Sequence, residues 1–443
     1  MVSLAPGIYN NLLILMALGV QVAMCYKRCR IRPLVIALTM TLGAARGQSP
    51  DEGQLARFKA KARQDMTSIP NYTCLETIDR VRRVPHAHKF EPIDKVRLEV
   101  SSVAGKELFA WPGSHHFEDR DVTSFVNGGV IGTGIFAIFA HNLFVTGNGT
   151  FQYRGEEKLD GRGLLRCDFR LTPQESRWQV RTNDTSEMVA AQGSFWFDPG
   201  SLDLIRLEVQ GQDLPHRLDL KEAVENTSYT RIRIGDSDAL LPHRSELTLT
   251  HLDGGMSRDV TVFSDCHEYR SESTIRFDAP SPTPSDVPQP QVRQVDLPAG
   301  LLVPIEVHTA IDSKTAAVGD TLHGRVTEEV RYKGRVVVPL GADITGNICR
   351  LSRGGLSAVG IELSEIEWEG ARAAFHAELI DLDRNPAGIQ RLQTYLDGET
   401  RKVVINSDIP DAGIFYIEAA RFRIAPGLHM LWRTLARSGR IVE

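Results

Sequence analysis

Gly193-Ser194-Phe195-Trp196-Phe197-Asp198-Pro199-Gly200-Ser201, followed by Leu204-Ile205-Arg206-Leu207-Glu208-Val209-Gln210, reads as strand, turn, strand. Asp, Pro, Gly and Ser are the residues that reverse a chain tightly. After the turn, Ile205, Leu207 and Val209 alternate with Arg206, Glu208 and Gln210, the period of a half-buried strand. The same period recurs on both sides. Val96, Leu98 and Val100 carry it, as do Phe151 and Tyr153, Leu165 to Leu171, Trp178 to Thr182 and Ile232 to Ile234. Leu247 and Leu249, then Val260 and Val262, flank Asp253-Gly254-Gly255. Gly, Pro, Asp or Asn stands in the turns between these segments. Such a run of short antiparallel strands implies one large, curved sheet with an apolar face and a wet face.

Two segments break the pattern. Leu55, Phe58, Ala62 and Met66 recur at helical spacing over 51–68, and Pro70 ends that run. Gly128 to Phe144 is apolar and glycine-rich, and from Thr133 onward it fits a short helix. Both helices are natural covers for the apolar face of the sheet. Residues 279–295 are rich in proline and form an extended linker. Beyond it, Val303 to Val307, Arg335 to Ala342, Ile361 to Trp368, Ala371 to Leu382 and Phe415 to Ile424 make a second β-rich unit, a small barrel or sandwich. The fold class is mainly β with a few helices. The expected parts are a signal region (1–47), a half-barrel (51–278), the linker (279–295) and a C-terminal β domain (296–435), with 383–412 polar and 436–443 frayed.

The first 47 residues set the compartment. Lys27 to Pro33 is basic, Leu34 to Leu42 is a short apolar run, and Ala45-Arg46-Gly47 supplies small residues. These are the parts of a secretory signal, and the run is too short to span a bilayer. Met24 reads as the true start; a start at Met1 would allow an uncleaved anchor. Export permits disulfides. Cys74 and Cys266 lie near the first and last strands of the half-barrel and are expected to pair, whereas Cys167 reads as a buried thiol within a strand.

The chain has 443 residues, 51 Lys and Arg against 56 Asp and Glu, and no basic stripe, so nucleic acid is not an expected partner. No catalytic constellation is evident. His86 and His88 share a strand-like spacing, and His115 and His116 lie farther on, but no third ligand has a fixed spacing to them, so no metal is expected. Gly235-Asp236-Ser237-Asp238 reads as a turn, and no Gly-x-Ser-x-Gly elbow occurs. Cys266 and His267 are strand neighbours that point apart. Gly128 to Gly134 lacks the Lys-Ser/Thr of a phosphate loop. No cofactor is expected.

The leading helix, the strand count and the Trp196-Phe197-Asp198-Pro199 hairpin resemble the periplasmic lipoprotein-carrier (LolA/LolB-like) half-barrel. That resemblance implies a half-closed antiparallel barrel with helices packed into its concave face. Leu297 to Gly300, Ile311 to Asp320 and Val336 to Ala342 are similar to the outer β-domain of conjugation-channel scaffold proteins, an assembly module. The whole arrangement also resembles a group of uncharacterised exported bacterial proteins. The expected function is that of an exported, non-enzymatic binding protein in the periplasm or envelope of a Gram-negative bacterium. It would hold an apolar or acylated ligand, a lipid or a lipoprotein acyl chain, against Phe136, Phe139, Phe144 and Trp196, although for any one of these side chains plain core filling is the favoured reading. The alternative is an envelope scaffold that binds other envelope proteins and no small ligand.

Overall fold

Alternating segments joined by short turns leave each strand beside its sequence neighbour, and the computed structural model shows the sheet that results. It describes residues 50–103, 106–114, 117, 122–125, 139–146, 149–182, 185–269, 293–353, 356–382, 404–406, 411–417, 419 and 421–436. The signal region, Phe136, His115, His116, most of the Gly128–Phe144 segment and of the linker, and most of 383–412 lie outside the described residues.

Helix α1 (Pro50–Thr67) leads into β1 (Tyr72–Arg83), β2 (Glu91–Val103), β3 (Lys106–Ala110), β4 (Thr150–Leu159), β5 (Arg162–Leu171), β6 (Trp178–Thr182), β7 (Thr185–Phe197), β8 (Leu204–Gln212), β9 (Leu220–Ile234), β10 (Ser237–His251) and β11 (Met256–Glu268). These strands form one antiparallel sheet in the order β3-β2-β1-β11-β10-β9-β8-β7-β5-β4, with β6 beside β7. The sheet is curled into a half-barrel. Bulges at Thr73/Leu75, Tyr153/Gly155, Trp196/Phe197 and Pro242/Arg244 bend the strands that carry them. Pro242 is tolerated inside a central strand because it sits at such a bulge. Cys74 and Cys266 form a disulfide between β1 and β11, with Cα atoms 4.1 Å apart.

Register decides which residues share a face. Tyr153, Cys167, Phe195, Leu207, Thr227, Ser245, Thr261, Ile78 and Val96 are successive cross-strand partners over β4, β5, β7, β8, β9, β10, β11, β1 and β2. This row lies on the face that meets α1, hereafter the concave face: Phe58 packs on Phe195 and Phe197, with ring centroids 5.1 and 4.3 Å away. Asp65 of α1 also binds Arg231 on β9, and Arg231 in turn holds Asp203 beside Lys61. The expected apolar positions Val260 and Val262 face the other way, and Val262 is exposed. Their neighbours Asp259, Thr261 and Phe263 point inward instead.

The C-terminal strands are β12 (Arg293–Gln294), β13 (Leu302–Val307), β14 (Ile311–Asp312), β15 (Thr321–Val326), β16 (Val330–Tyr332), β17 (Arg335–Val338), β18 (Asp343–Leu351), β19 (Ser357–Trp368), β20 (Ala371–Ala374), β21 (Ala377–Leu382), β22 (Val404–Asn406), β23 (Ala412–Ile417), β24 (Arg423–Ile424) and β25 (Leu428–Thr434). A ten-stranded sheet holds most of them, and β14–β24 and β16–β17 are two-stranded pairs. This part docks on the half-barrel by extending it. Val318 pairs with the free edge of β2: Arg97 N donates to Val318 O at 2.7 Å, and Val318 N donates to Lys95 O at 2.8 Å. Arg97 also binds Asp320, and Thr321 Oγ1 donates to Pro112 O at 2.8 Å. One apolar cluster then runs from Val96 and Leu98 through Val318 and Leu322 to Trp432.

Gly319 makes this junction possible. Its φ is +96°, and a Cβ there would lie 2.1 Å from Arg97 O and 2.8 Å from the Trp111 ring. Gly319→Ala is therefore expected to cost about 2 kcal/mol or more in a denaturant titration. A cost below about 0.5 kcal/mol, the range of neutral surface changes, would show that the junction is not built this way.

Candidate functional site

Half-way across the concave face the chemistry changes. On β4, β5, β7 and β8 the inward side chains are Tyr153, Cys167, Phe169, Phe195, Leu207 and Val209, packed with Phe58. On β1 and β2 they are Ile78, Val96 and Leu98, which belong to the other apolar cluster. Between the two lie Glu225 and Thr227 on β9, Ser245 on β10, Asp259 and Thr261 on β11, and Glu76 and Arg80 on β1, all buried. Part of this strip is satisfied internally. Ser245 Oγ donates to Glu225 Oε1 at 3.0 Å and lies 3.2 Å from Thr227 Oγ1. Arg80 donates twice to Asp94, at 2.6 Å each.

Glu76 is different. Its side chain is fully buried between the cross-strand partners Leu98 and Phe263, and neither carboxyl oxygen has a hydrogen-bond partner. An unpaired buried polar group of this kind costs about 1–3 kcal/mol. Burial pushes its carboxyl up to about 8. Burial likewise pushes Glu225 up to about 7, against the hydrogen bond from Ser245. Glu107 on β3 is raised well above the carboxylate range by burial and then by the charges of Glu76 and Glu225. The phenols follow: Tyr72 is raised by burial and Glu107, and Tyr229 by burial and Glu225. Among the described residues, no basic group contributes to the shift of any of the three carboxyls.

This acidic end opens on a cleft of about 600 Å³ at the C-terminal end of α1. Tyr72, Ser102, Glu107 and Tyr229 form its sheet wall, and Met66, Ile69, Leu240 and Leu241 give it an apolar side. Ala140, His141, Asn142 and Arg177 also line it. The first three belong to a short helical stretch, residues 139–146, that ends in a π-turn over Asn142–Thr146.

The sequence-derived ligand residues fall as follows. Phe139 is buried against Phe169 and Trp178, with centroids 6.1 and 6.4 Å away. Phe144 meets Phe58 and Phe195 edge-on, at 5.3 and 5.1 Å. These two rings anchor the stretch that carries the cleft wall, and neither lines the cleft. Trp196 lies on the convex face, because Phe195 and Phe197 on either side of it point inward. There its ring sits between the Arg166 and Arg206 guanidiniums. Phe136 is outside the described residues. Glu76, Glu107 and Tyr229 were not singled out from sequence. The signal was a lone Glu at an inward position of a strand, in Cys74-Leu75-Glu76-Thr77-Ile78.

The remaining candidates are turns or covalently occupied. His86 and His88 are exposed in the β1–β2 connection, and among the described residues no three His, Cys, Asp or Glu side chains gather as a metal-binding group. Gly235 and Asp236 make the β9–β10 turn, and Cys266 is held in the disulfide. Burial pushes the free Cys167 thiol up to about 12, which suppresses its thiolate.

No family model matches the chain, and neither does any curated protein. Three solved structures are similar to about half of it. They are a DUF1329 family protein from Desulfovibrio piger (12% identity, TM-score 0.29, 51% of this chain and 96% of that one), a LolA superfamily protein from Nitrosomonas europaea (12%, 0.26, 49% and 94%) and a putative outer membrane lipoprotein-sorting protein domain from Vibrio parahaemolyticus (10%, 0.25, 51% and 93%). The second bears the LolA name, and the third is named for lipoprotein sorting. The conjugation-scaffold resemblance of the C-terminal part has no counterpart in these three.

Glu76 keeps a proton in the folded protein that the unfolded chain releases above its ordinary value near 4.5. Its contribution to stability therefore falls as pH rises from about 4.5 towards 8. Glu76→Gln removes the titration. Its stability gain over wild type is expected to grow by about 3 kcal/mol between pH 4.5 and pH 8 in parallel urea titrations. A gain independent of pH would mean that this carboxyl is not held protonated inside.

Proposed function

We propose that the chain is an exported, non-enzymatic binding protein of the periplasm or cell envelope, and that the concave side of its half-barrel holds an apolar or acylated molecule with a polar end. The observation that carries this reading is the cleft of about 600 Å³ where α1 ends. It has the size of a small-molecule site, and it joins an apolar wall to a few convergent polar groups. The apolar part of the ligand rests on Met66, Ile69, Leu240 and Leu241, and its polar end meets Tyr72, Glu107 and Tyr229. Phe139 and Phe144 act as anchors for the 139–146 stretch.

An uncharged probe tests this reading without prejudging the polar end. N-phenyl-1-naphthylamine should bind the folded full chain saturably, with a rise in fluorescence. Ile69→Asp places a charge on the half-buried apolar wall and should weaken binding at least tenfold without moving the thermal midpoint. Absence of saturable binding, or binding that Ile69→Asp leaves unchanged, overturns the proposal.

A second reading, an envelope scaffold, draws on the C-terminal β16–β17 hairpin. Tyr332, Val336 and Leu340 are exposed there and next to it, an apolar group of the kind that contacts protein partners. On that reading, in-cell cross-linking recovers a stable heteromeric complex that Val336→Asp abolishes; recovery of monomer alone removes it.

A further inference from the structure

The proposed cleft has a wall whose charge is unbalanced. Glu107 lines it directly, and Tyr72 and Tyr229 stand beside Glu107 on the same wall. Behind them on the concave face are Glu76 and Glu225, close enough to Glu107 for their charges to oppose its ionisation. Three carboxyls thus share a poorly solvated space. Glu225 has one hydroxyl donor, Ser245, and Glu76 has no partner at all.

Elsewhere on the same face the protein does compensate a buried charge. Arg80 lies one pleat from Ile78 and is gripped by both oxygens of Asp94. Arg231 on β9 is held by Asp65 and Asp203. Among the described residues, these basic groups on the concave side are committed to other acids, and no basic group is a cause of the shifts of Glu76, Glu107 or Glu225. The basic groups that line the cleft, His141 and Arg177, come from the 139–146 stretch and the turn before β6, and Arg177 is exposed, where solvent screens it. The carboxyl wall therefore lacks a donor of positive charge that could enter through the cleft.

We infer that the cleft selects ligands whose polar end is a protonated amine, with the ammonium seated against Glu107 and directed towards Glu76 and Glu225. This rests on the binding reading above and specifies the polar end of the ligand. An ammonium has three N–H donors and no acceptor, which suits a wall of carboxyl and phenol oxygens. Its charge is better stabilised by carboxylates in this partly dehydrated site than in water. A carboxylate or phosphate end would oppose the ionisation of these carboxyls, as they oppose it in Glu107, and would gain no countercharge from them.

The proton balance follows. Before binding, Glu76 and Glu107 are held largely protonated at neutral pH, and Glu225 is poised between its two forms. When R–NH₃⁺ enters, a carboxyl releases its proton to solvent, and the carboxylate formed pairs with the ammonium. No bond in the ligand is made or broken. The site should therefore bind an amine more tightly as pH rises through the range in which Glu225 and Glu76 titrate. The ammonium itself stays charged throughout, as lysine does with its pKa of about 10.4. The titratable groups that face the bound nitrogen are Glu76, Glu107, Glu225, Tyr72 and Tyr229, with His141 and Arg177 also in the cleft lining.

Three probes of one chain length test this: decylammonium, decanol and decanoate, titrated calorimetrically into the full chain below their aggregation concentrations. At pH 8, decylammonium should bind at least tenfold tighter than decanol, and decanoate more weakly than either. Between pH 6 and pH 8 its Kd should fall between about tenfold and a hundredfold for one proton released, while that of decanol stays constant. Glu107→Gln, on the accessible wall, should cut the decylammonium advantage about tenfold and leave decanol binding unchanged. Glu76→Gln should flatten the pH dependence. If decanol binds and decylammonium binds no better, or if decanoate binds best, the inference falls while the cleft stands as a binding site. If no decyl probe binds a folded sample, the binding reading falls with it.

Discussion

The antiparallel register of the first sheet is the constraint on which the rest depends. A one-residue slip in any strand would turn its inward set outward. With the observed register, nine strands place Tyr153, Cys167, Phe195, Leu207, Thr227, Ser245, Thr261, Ile78 and Val96 in one line. The line begins apolar, becomes polar at β9, and ends apolar at β1. Each apolar end has its own cover: Phe58 of α1 stacks on Phe195 and Phe197 at one end, and Val318 pairs along β2 at the other. The polar middle cannot be covered by a greasy side chain without burying orphaned oxygens. The cleft opens beside this middle, where the α1 contact ends.

The C-terminal part bears on the same site through the edge it occupies. A free β-strand edge invites another chain to pair with it. Val318 uses the part of the β2 edge that β3 leaves open, and Gly319 lets the chain turn away immediately afterwards. The opposite end of the sheet is β4, whose Gly155 bulge interrupts the ladder. One edge is thus occupied from within the chain and the other is broken. On the proposed binding reading, the concave side is left as the surface that receives a small molecule.

Much of this architecture was legible in the residue pattern. The period of two marks the strands, Asp198-Pro199-Gly200-Ser201 marks a hairpin, and the Leu55–Met66 spacing marks α1. Cys74 and Cys266 could be paired because their strands open and close the unit. Alternation, however, separates two faces without saying which one is concave. Trp196 shows this: it is the largest residue of its hairpin, but Phe195 and Phe197 flank it, and a strand cannot turn all three inward. Two phenylalanines meeting Phe58 outweigh one tryptophan, which instead lies between two guanidiniums on the outside. Val260 and Val262 show the same limit, since their apolar side chains lie outside while Asp259 and Thr261 lie within.

The site itself was hidden for a related reason. An isolated glutamate in an alternating strand ordinarily reads as the wet face, so Glu76 carries no signal in one dimension. It becomes informative only once Leu98 and Phe263 are seen at its sides and no donor is found within reach. Glu225 and Glu107 come from strands that are distant in sequence, and only the closing of β1 against β11 brings them near Glu76. Hydrophobic patterning could locate the greasy floor under α1. It could not locate the cleft, because the cleft is marked by poorly paired polar groups that a stable core would otherwise exclude.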